Sequence, residues 1–111
     1  MSGKEHKPLL SAIVPCYNEQ DNVELFYTTF AKEFDESEFD YQLVFVDDGS
    51  KDQTLTRLRS IAESHPHVRV ISFSRNFGKE SAVWAGLNNA DGDYVAIIDA
   101  DLQQQPQDLL N

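Results

Sequence analysis

Four short apolar runs, each closed by polar or acidic residues and spaced by segments of helical periodicity, constrain this chain more than any other feature. Leu9-Leu10-Ser11-Ala12-Ile13-Val14 is the first run and is stopped by Pro15; so short and apolar a run reads as a buried strand. Asp21-Asn22-Val23-Glu24 has capping-box spacing, with Asp21 as N-cap and Glu24 reaching back. Val23, Phe26, Tyr27, Phe30 and Phe34 then share one helical face. An acidic linker over 35–40 leads to the second run, Tyr41-Gln42-Leu43-Val44-Phe45-Val46, which ends at Asp47-Asp48-Gly49-Ser50. Ser50 and Gln53 have the spacing of a second capping box, and Leu55, Leu58, Ile61 and Ala62 form the stripe of a helix that must stop before Pro66. The third run spans 68–73. A loop marked by Gly78 precedes a helix over 80–89, whose apolar face holds Ala82, Val83, Gly86 and Leu87. Asp91-Gly92 signals a turn, and Tyr94-Val95-Ala96-Ile97-Ile98 is the fourth run, ending in Asp99-Ala100-Asp101. Pro106 suits the first turn of a further helix.

Strands of this length alternating with helices predict an α/β fold: a Rossmann-like parallel sheet with helices on both faces. Right-handed crossovers bring all four strand C-terminal ends to one edge, where open α/β sheets bind ligands. The polar residues collect at that edge: Pro15-Cys16-Tyr17-Asn18-Glu19, Asp47-Asp48, Ser74-Arg75-Asn76, and Asp99 with Asp101. This convergence predicts a site.

The 111 residues suit one small domain, with 1–8 read as a flexible N-terminus and 9–111 as the folded unit. At 41% hydrophobic residues the chain can build a core. No apolar run approaches the roughly 20 residues that cross a bilayer, and the polar start lacks a signal peptide's apolar stretch. The visible chain is therefore expected to be soluble and cytoplasmic. Cys16 is the single cysteine, which rules out an internal disulfide, and it reads as a half-buried thiol rather than a nucleophile. The net charge of -10 argues against a nucleic-acid surface. An acidic site can hold a nucleoside diphosphate only through an intervening cation.

Asp99 and Asp101 fall on one side of the chain if extended geometry continues past the fourth strand. Two carboxylates so close repel unless a cation bridges them, and oxygen-only ligands suit Mg2+ or Mn2+. The competing reading is a polar strand end that caps the next turn. Gln103 can add a third oxygen. Asp47 or Asp48 can accept from a nucleobase or ribose, or serve only a turn. Tyr17 can stack on a base or pack over the sheet edge. Glu19 can accept from a ribose hydroxyl or decorate a helix start. Arg75 and Lys79 can face phosphates or merely balance neighbouring acids. His6, His65 and His67 lack metal-ligand spacing and read as surface residues, and Trp84 reads as helix packing rather than sugar stacking. Neither a dinucleotide fingerprint, nor a P-loop, nor a nucleophile elbow is present.

The ordered set Ile13-Val14-Pro15-Cys16-Tyr17-Asn18-Glu19, Val46-Asp47-Asp48-Gly49-Ser50, Ser74-Arg75-Asn76-Phe77-Gly78-Lys79 and Asp99-Ala100-Asp101-Leu102-Gln103 resembles family 2 glycosyltransferases of the GT-A fold. Within that family it is most similar to bacterial relatives of dolichyl-phosphate mannose synthase, including the polyprenyl-phosphate (bactoprenol) glucosyltransferases. The resemblance implies that Pro15, Tyr17, Asn18 and Glu19 line the nucleoside pocket together with Asp47 or Asp48. It implies that Arg75, Lys79, Asp99, Ala100 and Asp101 border the nucleotide sugar, and that Asp99, Asp101 and Gln103 hold a metal, Mg2+ or Mn2+, on the diphosphate. Relatives commonly carry an acid after the glutamine of this last motif, where this chain has Gln104. The donor implied is a UDP-sugar or a GDP-sugar, with UDP-glucose favoured, and the acceptor a polyprenyl phosphate.

The resemblance also implies that the acceptor-side residues, including a catalytic acid, lie downstream of Asn111. So do the membrane-associated helices that would hold the longer enzyme at the cytoplasmic face of the inner membrane. The chain is thus expected to be the donor-binding half of that enzyme, binding nucleotide weakly and catalysing nothing alone. Two rival readings are a transferase acting on a polysaccharide or sugar acceptor, and a non-catalytic nucleotide-binding or assembly module. A receiver-like phosphoacceptor domain fits less well, since no later strand matches. Uncovered strand edges predict homo-oligomers.

Overall fold

In the computed structural model, which describes residues 7–101, seven elements alternate along the chain. They are β1 (Leu9–Cys16), α1 (Val23–Asp35), β2 (Asp40–Asp47), α2 (Thr54–Ser64), β3 (Val68–Ser72), α3 (Lys79–Asn88) and β4 (Tyr94–Ile97). The strands form one sheet in the order β3-β2-β1-β4, and every neighbouring pair is parallel. The chain steps outward from β1 to β3, then returns to add β4 on the other side of β1. Because crossovers are right-handed, this reversal sends α3 to the opposite face from α1 and α2.

The two faces are packed differently. Alternate residues of β1 and β2 (Leu10, Ala12, Val14, Leu43 and Phe45) meet Val23, Phe26, Phe30, Phe34, Leu58 and Ile61 of α1 and α2. Phe26, Phe30 and Phe34 are fully buried, with Phe30 and Phe34 stacked at 4.3 Å between centroids. Burying each ring contributes about 1.5–3 kcal/mol, so this stripe is the largest apolar term on its face. On the other face Ile13, Val44 and Val46 pack against Ala82 of α3. Gly86 lies one turn along: a Cβ built there would come within 2.4 Å of Ile13 Cγ2, so α3 approaches the sheet too closely for any side chain.

Several sequence expectations change. Pro15 does not stop β1, which continues to Cys16. Ile13 O accepts from Ile98 N on the β4 side, and Pro15 turns to that same side just where β4 pairing has ended, so no ladder donor is missing. Neither capping box forms. Asn22 is the N-cap of α1 and makes no side-chain cap bond; Glu24 pairs instead with Arg57. The α1 start is held by the Glu19 carbonyl, which accepts from Asn22 N and Val23 N at 2.9 and 3.2 Å. Gln53 caps α2, also without a side-chain bond, while Asp52 Oδ1 accepts from Thr54 N. Cys16 is buried rather than half-buried. His67 is not a surface residue: it is half-buried, stacks with Tyr27 and meets the Tyr27 hydroxyl at 3.1 Å. Trp84 is 65% exposed and does not pack its helix, and Leu87 is exposed as well.

β4 is an edge strand with Tyr94, Val95 and Ile97 exposed. Its start is tied to the sheet by a polar network that the periodicity gives no sign of. Ser11 Oγ donates to Gln42 Oε1 at 2.7 Å, and Gln42 Oε1 also accepts from Asp91 N. Gly92 N donates to Ser11 Oγ at 2.8 Å. A Cβ at Gly92 would lie 2.7 Å from Ser11 N, so this turn also requires glycine.

Candidate functional site

The order reversal between β1 and β4 opens a cleft at the C-terminal edge of the sheet. It has a volume of about 160 Å³ and is lined by Pro15, Cys16, Tyr17, Glu19, Asp48, Lys79 and Asp99. A larger hollow of about 380 Å³ lies at the opposite edge, bounded by Lys7, Phe34, Asp35, Phe39, Asp40, Tyr41 and His67. Size does not decide between them. The larger one gathers residues from the N-terminal ends of strands, whereas the smaller collects the carboxylates and the lysine at the topological switch point, where α/β sheets bind ligands.

The β1–α1 loop is fastened to the β2–α2 loop. Asn18 adopts φ 53°, a left-handed geometry that asparagine tolerates. Its N–H donates to Ser50 Oγ at 2.8 Å, and its Oδ1 accepts from Lys51 N at 2.9 Å. Glu19 N donates to Thr54 Oγ1 at 2.8 Å, and Gln53 N to Gln20 Oε1 at 2.9 Å. Ser50 is thus a loop tie and not a helix cap. With the backbone so held, the Tyr17 ring stands 41% exposed on the cleft. The Glu19 carboxylate accepts from Asn22 Nδ2 at 2.7 Å and keeps its second oxygen for other donors.

The two acids after β2 have separate environments. Asp48 is buried, and its carboxylate accepts from Phe77 N at 2.8 Å, Gly78 N at 3.0 Å and Asn76 Nδ2 at 3.1 Å. Asp47 is also buried, but among the described residues its Oδ1 has no hydrogen-bond partner. Between these loops Gly49 takes φ 72°, and a Cβ there would lie 2.2 Å from the Arg75 carbonyl carbon. The 74–78 loop therefore lies backbone to backbone on the end of β2.

Beyond that loop, Lys79 opens α3 and places Nζ 2.9 Å from Asp99 Oδ1. Arg75 does not line the cleft; its guanidinium sits 4.2 Å over the Phe77 ring. β4 ends at Ile97 and the chain turns at Ala100 and Asp101, so the extended alternation that put Asp99 and Asp101 on one side does not continue. The Ala100 methyl is buried in the α1–α2 core, which leaves only its backbone for a ligand. Among the described residues no group of three or more His, Cys, Asp or Glu is placed to hold a metal ion. Gln103 lies outside the described residues. Burial, and then the charges of Glu19 and Asp47, push the Cys16 thiol far above its ordinary range, so it is neither a nucleophile nor a ready metal ligand.

Sequence reasoning missed Thr54 as part of this edge, and it named Gly49 and Asn76 there without the contacts they make. Gly49 carried a signal, a glycine directly after two strand-end acids. Thr54, and the bond from Asn76 to Asp48, carried none, because the partners lie 35 and 28 residues away.

Residues 11–111 match the profile of glycosyl transferase family 2. A prophage bactoprenol glucosyl transferase homolog of Escherichia coli strain K12 is 45% identical over 95 residues, which are 85% of this chain and 31% of that protein. The bactoprenol glucosyl transferase of Shigella phage SfV is 46% identical, over 85% of this chain and 31% of its own. The chain thus spans about three tenths of the length of these relatives. Among solved structures, the mannosyltransferase PcManGT of Pyrobaculum calidifontis, in complex with GDP-Man and Mn2+, superposes with a TM-score of 0.78 at 32% identity, covering 96% of this chain and 31% of that one. TarS of S. aureus in complex with UDP-GlcNAc gives 0.72 at 27% identity, covering 91% and 29%. With its parallel sheet, its cleft at the β1–β4 switch and a profile match over nearly all its residues, the chain belongs to glycosyl transferase family 2.

Proposed function

We propose that the chain is the donor-binding part of a metal-dependent, inverting transferase that moves a sugar from a nucleoside diphosphate to a polyprenyl phosphate. The observation that carries the reading is the cleft itself, where Tyr17, Glu19, Asp48, Lys79 and Asp99 from four separate loops converge. The relatives' names, bactoprenol glucosyl transferases, support the acceptor and favour glucose as the sugar. Solved structures holding GDP-Man and UDP-GlcNAc support a nucleotide-sugar donor and leave the base open; the bactoprenol likeness favours UDP.

In this reading Tyr17 stacks on the base and Glu19 accepts from the ribose. Either Asp48, which lines the cleft though already held by the 76–78 loop, or Asp47, whose unpartnered Oδ1 is buried beside it, would accept from a base N–H. A buried acceptor left unpaired is unfavourable by about 1–3 kcal/mol, which a donor from the ligand relieves. The residues present suit a hard divalent cation. Magnesium is typically bound by one or two carboxylates plus substrate phosphates and not by an all-protein cage, a demand that Asp99 on the cleft, with Asp101 two residues on, would meet without a three-acid cluster. Asp99 and Asp101, with Gln103, would hold it. When bound, the cation supplies Lewis-acid stabilisation to the leaving diphosphate. The acceptor oxygen attacks the anomeric carbon from the face opposite the departing nucleotide. A phosphate monoester with a second pKa near 6 is largely ionised at neutral pH, so it needs less help from a general base than a sugar hydroxyl does. Among the described residues no helix is long and apolar enough to cross a membrane. Work on a lipid phosphate at the cytoplasmic face of the inner membrane would draw on chain that the longer relatives possess.

The test is calorimetric titration of this chain with UDP and with GDP, each with and without Mn2+, repeated on Asp101→Asn. Metal-dependent binding of one nucleotide, weakened at least tenfold in the variant, is the expected result. Equal binding by Asp101→Asn would refute the metal assignment. Membrane extracts holding an enzyme that carries this domain, if they transfer sugar to polysaccharide but never to polyprenyl phosphate, would refute the acceptor.

A further inference from the structure

The contact between Lys79 and Asp99 has no explanation in the stability of the fold. An exposed ion pair of this kind adds little to stability, and 63% of the Lys79 side chain is exposed. A cation in the first turn of a helix also lies at the wrong end of the helix dipole. Yet the segment that aims this lysine is among the most firmly fixed of the loops. Asp48 grips Phe77 N, Gly78 N and the Asn76 side chain, and Gly49 lets the 75–76 backbone lie against β2. The ammonium is thus delivered from a rigid base, on a flexible stem, to a carboxylate on the cleft.

We infer that Lys79 is a resident counter-ion for Asp99, exchanged when the divalent cation and the nucleotide arrive together. The inference rests on the metal-dependent donor site proposed above. Without ligand, the ammonium neutralises Asp99 and repels a dication, so the free cation binds poorly. When the cation comes with a diphosphate, Asp99 turns an oxygen to the metal and Lys79 moves to the anionic phosphate oxygens. No proton is transferred; two ionic contacts are replaced by two others. Cation and nucleotide therefore each raise the affinity for the other, as linkage requires.

The test measures free Mn2+ by its electron paramagnetic resonance signal, first with Mn2+ alone and then with UDP or GDP. Wild type, Lys79→Gln, Lys79→Arg and Asp101→Asn are compared. Lys79→Gln is expected to bind Mn2+ alone about three- to tenfold more tightly, the size of effect a unit charge a few ångströms away exerts in a hydrated site. It should also lose most of the mutual enhancement between Mn2+ and nucleotide, whereas Lys79→Arg keeps the wild-type pattern. If Lys79→Gln binds Mn2+ alone no better than wild type, while Asp101→Asn binds it worse, the exchange is wrong and the donor site stands. If wild type binds no Mn2+ with either nucleotide, the donor-site reading and the exchange fall together.

Discussion

Gly86 offers the sharpest test of how this fold holds its site. The Cβ of Gly86→Ala would lie 2.4 Å from Ile13 Cγ2 and 3.2 Å from Ile13 Cγ1. Normal carbon contacts are about 3.5–4.0 Å, so roughly 1 Å of space must be found. Ile13 is fully buried among Val44, Val46 and Ala82 and has nowhere to swing. The strain is therefore taken by α3 moving off the sheet, at about 1–3 kcal/mol. Against this, alanine gains about 0.8–1.0 kcal/mol over glycine within a helix. The net expectation is a loss of about 0.5–2 kcal/mol. Ile13→Ala alone should cost about 2–5 kcal/mol, since it empties a packed position. In that background the new methyl of Gly86→Ala meets a void, and only the helix gain and some cavity filling remain. The same substitution should then stabilise. Urea unfolding of the four proteins measures this cycle, and the coupling between the two sites should be at least about 1 kcal/mol. Stabilisation by Gly86→Ala in the wild-type background, or additive effects, would refute the close approach of α3. Nucleotide binding gives a second reading. Moving α3 also moves Lys79, so Gly86→Ala should weaken Mn2+-dependent nucleotide binding more than a surface substitution of equal stability.

Two further expectations concern single residues. Asp48→Ala removes an acceptor shared by Phe77 N, Gly78 N and Asn76 Nδ2; hydrogen bonds to a charged group contribute about 1.5–3 kcal/mol each, and water can recover part, so a net loss of about 2–4 kcal/mol is expected. Hydrogen exchange at the Phe77 and Gly78 amides should accelerate in the folded variant, and unchanged protection there would show that the carboxylate does not hold the loop. For His67, burial first and then the His65 charge lower its pKa below 6.5, with Asp35 opposing. The unfolded chain then takes up its proton before the folded one does, so stability is intact above about pH 6.5 and falls as the pH drops below that value. His67→Gln should flatten that slope in urea midpoints taken between about pH 5 and 8, and an unaltered slope would assign it to other groups.

The elements were legible because each rests on local periodicity. Phe26, Phe30 and Phe34 repeat every four residues, and the β2 run is apolar on both faces, so helix and buried strand follow from burial alone. The edge of the sheet where polar groups meet was legible for the same reason, since parallel strands leave no other place for four polar endings. What failed depended on partners distant in sequence. Ser50 has the spacing of a cap, but Asn18 N–H arrives from another loop and takes its oxygen. Trp84 and Leu87 have apolar side chains, yet Gly86 brings α3 so close to β1 that the small residues Ala82, Ala85 and Gly86 fill the contact. Asp47 and Asp48 are neighbours of one residue type, and no sequence rule says which of them is spent on the 76–78 loop.

The charge of the cleft narrows what it can bind. Its described lining holds three carboxylates, Glu19, Asp48 and Asp99, against one ammonium, Lys79. Asp48 is compensated by the N–H groups that surround it, and Asp99 by Lys79. Glu19 has only the neutral Asn22 amide against it, so the lining keeps a net negative charge and has no surplus positive charge to offer a diphosphate. An anionic ligand must bring its own cation or draw Lys79 away from Asp99, and drawing Lys79 away leaves Asp99 in need of a cation in turn. Either path agrees with the proposal that a divalent ion binds together with the nucleotide. In a chain of net charge -10 the negative charge that acts on the cleft is local, from Glu19, Asp48 and Asp99 on the lining and the buried Asp47 beside them, because exposed acids farther away are screened by water and salt.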